Sequence, residues 1–402
     1  MSTERWNDDI AYVFFIDRIF LRIHGVWPLQ TQTLFTRIRW GFCLMALIMI
    51  IPYLMLDLTS SNQNANINLE AILLVVSVML AIMKHLCIGL SQKKLNININ
   101  GAIDDWLSVK DDKETRKIMK EYAYKARVLT LMLLYSIAGC FSAYVLVVLF
   151  KNLKQIFFTD SNLLDANTTN WILLFPCDPL SKSITGSQYV IILAIQLVQA
   201  VIGCSVLFIK SSFFFNVTMH LAGQVEVLKN KFQTFANKPN TEANYRKKFI
   251  GLINRHSKLM EFYQNLEDSF NFFILIELVI VTIMLAFIGL RIIWCLMENN
   301  YIEVAKNALD VIIYLIQLMI YTYAGDLLQR ESEGIFYAIY ATSWFTLPLT
   351  LMKDMHFAMM KSSIPFRFTG GKFFYVNRAT MMFIFKATYS YISVLRVALL
   401  TK

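Results

Sequence analysis

The chain is poor in charge. Only 16% of its 402 residues are Asp, Glu, Lys or Arg, against roughly 25% in soluble domains. That shortfall excludes an ordinary water-soluble fold. Its five histidines are scattered, and His256 in the run RHSKLM reads as structural rather than catalytic. No glycine-rich phosphate loop, His-Glu-x-x-His, Gly-x-Ser-x-Gly or cysteine pair at zinc spacing occurs. An enzyme reading has no residues to rest on, and no cofactor or metal is expected. Cysteines number six, of which Cys43, Cys87, Cys140 and Cys204 lie in apolar runs. Buried thiols are the default, and only Cys177 with Cys295 is placed for an external disulfide. Residues 1–37 are charged and lack the apolar core of a signal peptide, so the first membrane segment is expected to direct its own insertion.

What is present is hydrocarbon. The chain is 56% hydrophobic, with 31 Phe and 18 Tyr, and its mean hydropathy is +0.50. About 20 apolar residues cross a bilayer. Candidate spans are 40–58, 70–90, 128–150, 187–209, 270–292, 307–326 and 373–397. Lys84 and His85 sit near one end of the second, where a lysine snorkels. With the N-terminus inside and seven spans, 28 Lys and Arg lie in the inner regions and 5 in the outer ones, as the positive-inside rule requires. An eighth apolar run, 334–352, would carry Lys353, Lys361, Arg367 and Lys372 outside if it spanned, and Pro348 interrupts it. It is expected to be a buried cytoplasmic helix.

The expectation is an all-α membrane protein with seven transmembrane helices, an inside N-terminus, an outside C-terminus and a helical cytoplasmic bundle. Its regions are a cytoplasmic segment (1–39), helices one to six with their cytoplasmic extensions (40–326), a cytoplasmic anchor region (327–372) and a last helix (373–402). This orientation is opposite to that of G-protein-coupled receptors, whose Asp-Arg-Tyr and Asn-Pro signals are also missing. Stretches 101–127 and 211–268, the latter broken at ANKPN (236–240), have helical periodicity and are read as helices below the membrane. The net charge of +10 reflects this topology and implies no nucleic-acid partner. Asn167-Thr168-Thr169 is a glycosylation sequon on the side called outside, whereas the sequon at Asn216 falls inside and is expected to stay bare.

The last helix carries Arg378, Lys386 and Arg396 among Thr388, Ser390 and Ser393. A cation in hydrocarbon costs at least ~2.5–3.5 kcal/mol. Three of them require protein or water along one side, so this helix is a candidate pore wall.

Several stretches together resemble one family. They are Gly25-Val26-Trp27-Pro28, Asp105-Trp106, HLAGQVEVL (220–228), RHSKLM (255–260), YAGDLLQRESEGIFYAIYATSW (323–344), SSIPFRFTGGKFFYVNR (362–378) and KATYSYISVL (386–395). Their order resembles that of insect odorant receptors, over nearly the whole chain. The chain is similar to the ligand-tuning subunits, since it lacks the long second inner loop of the shared co-receptor. Leu395-Arg396 stands where the sister gustatory receptors carry Gln-Phe. The resemblance implies an odorant-gated, non-selective cation channel in the plasma membrane of olfactory dendrites. It implies a heterotetramer with the co-receptor, a central pore lined by the last helix, and an odorant pocket among helices two, three, four and six. A gustatory-type channel, a receptor signalling through partners without its own pore, and a transporter are the alternatives.

Candidate pocket residues follow from helical spacing: Leu73 and Ser77 on span two; the small-residue stripe Ser136, Gly139 and Ala143 on span three; Tyr189, Ile192 and Gln196 on span four; Ile313, Gln317 and Tyr321, with Tyr314 beside them, on span six. Such residues also serve as plain helix contacts in membranes. Burying about 250 Å² of an odorant gains about 6 kcal/mol before ordering costs, which supports micromolar binding. On the last helix Lys386, Ser390, Ser393 and Val397 share a stripe. Val394 or Val397 is the candidate apolar gate, closing by dewetting. Lys386 either faces a wide vestibule or pairs with an acid such as Glu277, and Arg378 is expected to pair with a neighbour in the anchor. Lipid and permeating cations are the remaining partners.

Overall fold

The computed structural model describes residues 8–59, 65–109, 112–158, 171–181, 184–235 and 241–400. They form twelve α-helices and one short hairpin. Helix α1 spans Asp8–Ile23, α2 Leu34–Ile48, α3 Ile50–Thr59, α4 Ala65–Leu90, α5 Gln92–Ser108 and α6 Lys113–Phe158. Helix α7 is Asp178–Ser181, α8 Gly186–Gln233, α9 Glu242–Met297, α10 Tyr301–Tyr340, α11 Leu349–Ser362 and α12 Arg378–Leu400.

Six stretches of helix are long and apolar enough to cross a membrane: the paired α2 and α3, then α4, α6, α8, α9 and α10. The 23 residues of α12 reach about 34 Å at ~1.5 Å per residue, enough for a bilayer. Four helices run far beyond one bilayer thickness. The 56 residues of α9 extend about 84 Å at the same rise. The bundle therefore has a membrane-spanning half and a second half where the extensions of α6, α8, α9 and α10 pack with α1, α5 and α11.

The first span is broken at Met49. Pro52 follows three residues later. It lacks an N–H and its ring clashes with the carbonyl four residues back, so the helix restarts rather than continues. The stretch 101–127 is two helices rather than one. Asp112 Oδ1 accepts the Thr115 N–H at 3.1 Å, a side-chain cap that starts α6 afresh.

The run 334–352 also differs from the single helix expected. Residues 334–340 complete α10, Trp344–Thr346 form a 3₁₀ turn, and α11 begins after Pro348. The residue before a proline is driven out of the helical region, and Leu347 is extended at φ −84°, ψ 160°. The last helix starts at Arg378 instead of Phe373, because Phe374–Tyr375 pairs antiparallel with Thr369–Gly370. Lys84 does not snorkel. It is fully buried, with Nζ 2.8 Å from the equally buried Glu277. Glu277 is thus taken by Lys84, not Lys386, and Arg378 pairs with Asp326 at 2.9 Å.

The centre of the packed half is α8. Every residue from Phe208 to Val225 is buried. A helix buried on all sides has neighbours on all sides, and its polar residues, Lys210, Ser211, Ser212, Asn216, Thr218, His220 and Gln224, are buried with the rest. Phe214 touches the rings of Phe270, Tyr321 and Phe368 with centroids 5.1–5.3 Å apart. The quoted motifs meet around this core. Asp105 holds His220 at 3.1 Å and Arg255 at 2.8 Å. Burial raises the Asp105 carboxyl, but these two donors outweigh it and leave its pKa below the ordinary value. Ser332 Oγ accepts the Phe366 N–H at 2.9 Å. A Cβ at Gly325 would run into the Val376 carbonyl, so only glycine lets α10 approach the chain entering α12 this closely. Gly25 turns the chain at φ +70°, which seats the buried Trp27 edge-on against Phe213 at 6.4 Å.

The N-terminal segment belongs to the same core. Asp17 in α1 is fully buried and accepts from Ser212 at 2.9 Å and Asn216 at 2.6 Å. Burial raises its pKa to about 7, with the two hydrogen bonds pulling the other way. Asn216, the second sequon, is committed to this contact.

Candidate functional site

The membrane half holds a cavity of about 630 Å³, open at one end. It lies among α4, α6, α8, α9 and α10, closed at one side by α2, α3 and the segment 171–177. Leu73, Ser77, Ala143, Ile313, Tyr314 and Gln317 line it. Its walls are otherwise largely apolar, with Leu74, Val78, Ile137, Phe141, Ala200, Met284 and Ile288. The Tyr314 hydroxyl lies 3.0 Å from Ser77 Oγ, which also donates to the Leu73 carbonyl at 2.9 Å. Both hydroxyls are thereby held in the wall.

The other six candidates lie elsewhere. Gly139 is exposed, and a Cβ there would meet nothing within 4 Å. Ser136 returns its hydroxyl to the Leu133 carbonyl of its own helix at 2.9 Å. The cavity face of α6 is Ile137, Cys140, Phe141, Ala143, Tyr144 and Val147, centred on the line Ile137–Cys140–Tyr144. It is displaced one residue from the small-residue stripe, a turn of about 100° about the axis. Of the stripe only Ala143, at the margin of that face, reaches the cavity.

Tyr189, Ile192 and Gln196 hold the segment that covers the cavity. Gln196 Oε1 accepts the N–H groups of Leu174 and Phe175 at 2.9 and 3.1 Å, and both residues line the cavity. Tyr189 stacks on Trp171 with centroids 4.6 Å apart and accepts from Asn152 at 2.8 Å. Ile192 packs beside them with Leu173. The cavity face of α8 begins one turn later, at Gln199, Ala200, Gly203 and Cys204. Tyr321 is fully buried in the packed half, its hydroxyl 2.8 Å from Ser211 Oγ.

One end of the cavity is charged, which hydrophobic spacing does not foretell. Glu70, Arg291, Glu303 and Lys306 form one ion cluster. Lys306 Nζ also lies 4.7 Å from the centroid of the Tyr144 ring, and Tyr144 donates to the Leu174 carbonyl at 2.9 Å. The four charges therefore brace α4, α9 and α10 against α6 and the covering segment. A residue of each sign near a helix end was the available signal.

On α12, Lys386, Ser390, Ser393, Val394 and Val397 are exposed on one face, while Ile384 is buried on the other. Ile392 fits against Gly289 of α9. Cys177 and Cys295 are buried thiols. Asn167 lies outside the described residues. Among the described residues no group of His, Cys, Asp and Glu could hold a metal ion.

Membrane-length helices with long extensions, a largely apolar cavity and an open-faced last helix make a polytopic membrane-protein bundle. It superposes on the insect olfactory receptor OR5 from Machilis hrabei in complex with eugenol at TM-score 0.78, covering 98% of this chain and 100% of that one at 13% identity. The structure of that receptor described without eugenol gives TM-score 0.75 at 12% identity, over 97% and 99% of the two chains. The sequence is 22% identical to Odorant receptor 13a of Drosophila melanogaster over 96% of each chain. It is 22% identical to Odorant receptor 10 of Aedes albopictus over 71% of this chain and 72% of that one. Residues 64–389 match the 7tm Odorant receptor family model, and the chain belongs to that family.

Proposed function

We propose that the chain is the ligand-tuning subunit of an odorant-gated, non-selective cation channel. The cavity carries this reading. Its volume of about 630 Å³ falls in the ~300–1,000 Å³ range of small-molecule sites, and such sites combine apolar walls with a few placed polar groups. Leu73, Ser77, Ala143, Ile313, Tyr314 and Gln317 would touch the odorant. Tyr189, Ile192 and Gln196 would act through the segment they hold.

Two helices join the cavity to α12. Helix α10 lines the cavity with Gln317, then brings Thr322 Oγ1 within 3.6 Å of Met381 Sδ on α12. Helix α9 lines it with Ile288 and touches Ile392 from the next residue. An odorant that stabilises one arrangement of α9 and α10 over another shifts α12 between closed and open populations. The route is a proposal about coupling, to be tested by mutation.

The exposed face of α12 would line the central pore of a heterotetramer with the co-receptor. Lys386, Ser390 and Ser393 would border the wet part. Val394 and Val397, 65% and 59% exposed in the single chain, would form the gate. The basic half faces the cytosol, Lys402 lies outside the cell, Asn167 is glycosylated, and the plasma membrane is the working location.

Patch-clamp recording from cells expressing the chain with and without the co-receptor tests this. Odorant-evoked cation current is expected with the co-receptor, and Val394→Ala with Val397→Ala should raise closed-state leak. No evoked current across a broad odorant panel would contradict the channel reading. Unchanged leak and conductance in both variants would remove the gate.

A further inference from the structure

The charged end of the cavity holds more acid than base. Lys306 Nζ lies 2.6 Å from Glu70 and 3.4 Å from Glu303, and Arg291 reaches the same two carboxylates. These four charges balance. Asp310, four residues beyond Lys306 on α10, lines the same cavity as a third acid. Among the described residues it has no ion pair and no hydrogen-bond donor. Lys151 is half exposed and reaches Glu303 only at 4.0 Å.

A second observation points the same way. Gln317, seven residues along the same face, and Gln199 opposite it are 2% and 5% exposed. Both line the cavity, and the Oε1 atom of each is buried without a donor. Buried polar groups are otherwise paired, and an unpaired acceptor is costly. Tyr314, between Asp310 and Gln317, is already engaged with Ser77. The cavity thus offers acceptors in want of donors and one carboxylate in want of a cation, on otherwise apolar walls.

We propose that the cavity takes a small apolar amine in its protonated form, with the ammonium on the Asp310 carboxylate. An ammonium supplies three donors and no acceptor, and a charge-assisted bond to a carboxylate is stronger than a neutral one. The hydrocarbon body lies along Leu73, Ala143, Met284 and Ile313. This assignment rests on the cavity being the ligand site.

The probes are heptylamine and 1-heptanol, nearly matched in shape and differing in charge. Concentration–response curves are recorded with the co-receptor present, and thermal shifts are measured on the purified chain. Heptylamine is expected to act at a concentration at least tenfold below 1-heptanol in both assays. Asp310→Asn should erase that advantage, and Asp310→Glu should keep part of it. Equal potency in the wild type, or an amine preference that survives Asp310→Asn, overturns the proposal. The wild-type pair decides alone if the variant does not fold. Response to neutral odorants with silence to the amine sinks the amine assignment only. Absence of any thermal shift or current across a broad panel sinks the reading of the cavity itself.

Discussion

Helix α8 passes through two environments, and the contrast divides the molecule. From Val190 to Val201 it leaves every third or fourth side chain open, with Val190, Ile191, Val198 and Val201 each more than half exposed. From Phe208 to Val225 nothing on it is open. The first stretch borders the cavity on one side and, in a bilayer, lipid on the other. The second is the axis of a core. A half with free volume can take up a ligand and rearrange. A half filled with interlocked rings and buried ion pairs transmits strain and holds shape.

Glycine substitutions break that contrast most sharply. Gly325→Ala places a methyl against the Val376 carbonyl, and loss of folded receptor at the cell surface is expected. Gly203→Ala meets Leu47 Cδ2 at 3.6 Å, an ordinary contact. It should fold normally and trim the cavity by one methyl, altering odorant potency alone. Surface biotinylation with dose–response recording checks both.

Next in size is the buried pair at the boundary of the halves. Removing one partner of a buried ion pair costs about 3–5 kcal/mol, whereas replacing both by apolar groups is often neutral. Glu277→Ala should therefore lower the midpoint of thermal unfolding strongly, and Lys84→Met with Glu277→Leu should recover most of the loss. A mild effect of Glu277→Ala would mean that water reaches this site.

Filling the cavity is expected to change function more than stability. Ala143→Trp should leave surface expression in place and remove responses to the bulkiest effective odorants first. Gly139→Trp, on the exposed face of the same helix, should leave the odorant profile unaltered.

A pH dependence is also expected in the packed half. The Asp17 carboxyl is raised to about 7 by burial, while an unfolded aspartate titrates near ~3.9. Between these values the folded state binds the extra proton, so stability falls as pH rises from ~4 to ~7 and then levels off. Asp17→Asn should flatten that segment of a stability–pH curve from purified protein.

The two halves also differ in how well the sequence announces them. The family stretches Asp105-Trp106, HLAGQVEVL and RHSKLM lie far apart in the chain and meet at one ion cluster, Asp105 with His220 and Arg255. Residues 323–344 and 362–378 join through Ser332 and Phe366. Those stretches encode specific close contacts, so they stand out as motifs. A cavity wall requires only that side chains leave room. Six of the twelve spacing-based candidates line it, and on α6 the face is centred one residue away from the small-residue stripe, so that only Ala143 of the stripe reaches it. Lipid-facing and cavity-facing residues are both apolar, so periodicity cannot separate them. The membrane spans were legible from length and charge, whereas the breaks at Met49 and Pro348 depended on backbone restrictions acting locally. The positioning roles of Tyr189 and Gln196 depend on the segment 171–177, which has no periodicity to read.

Cys140 and Cys204 line the cavity, while Cys43, Cys177 and Cys295 are buried outside it. Labelling of native receptor with a small apolar maleimide, followed by mass spectrometry, therefore tests directly whether this space holds the activating ligand. Saturating odorant should slow modification of Cys140 and Cys204 at least severalfold and leave the remaining thiols unaffected. Equal labelling of both with and without an odorant that opens the channel would contradict the account.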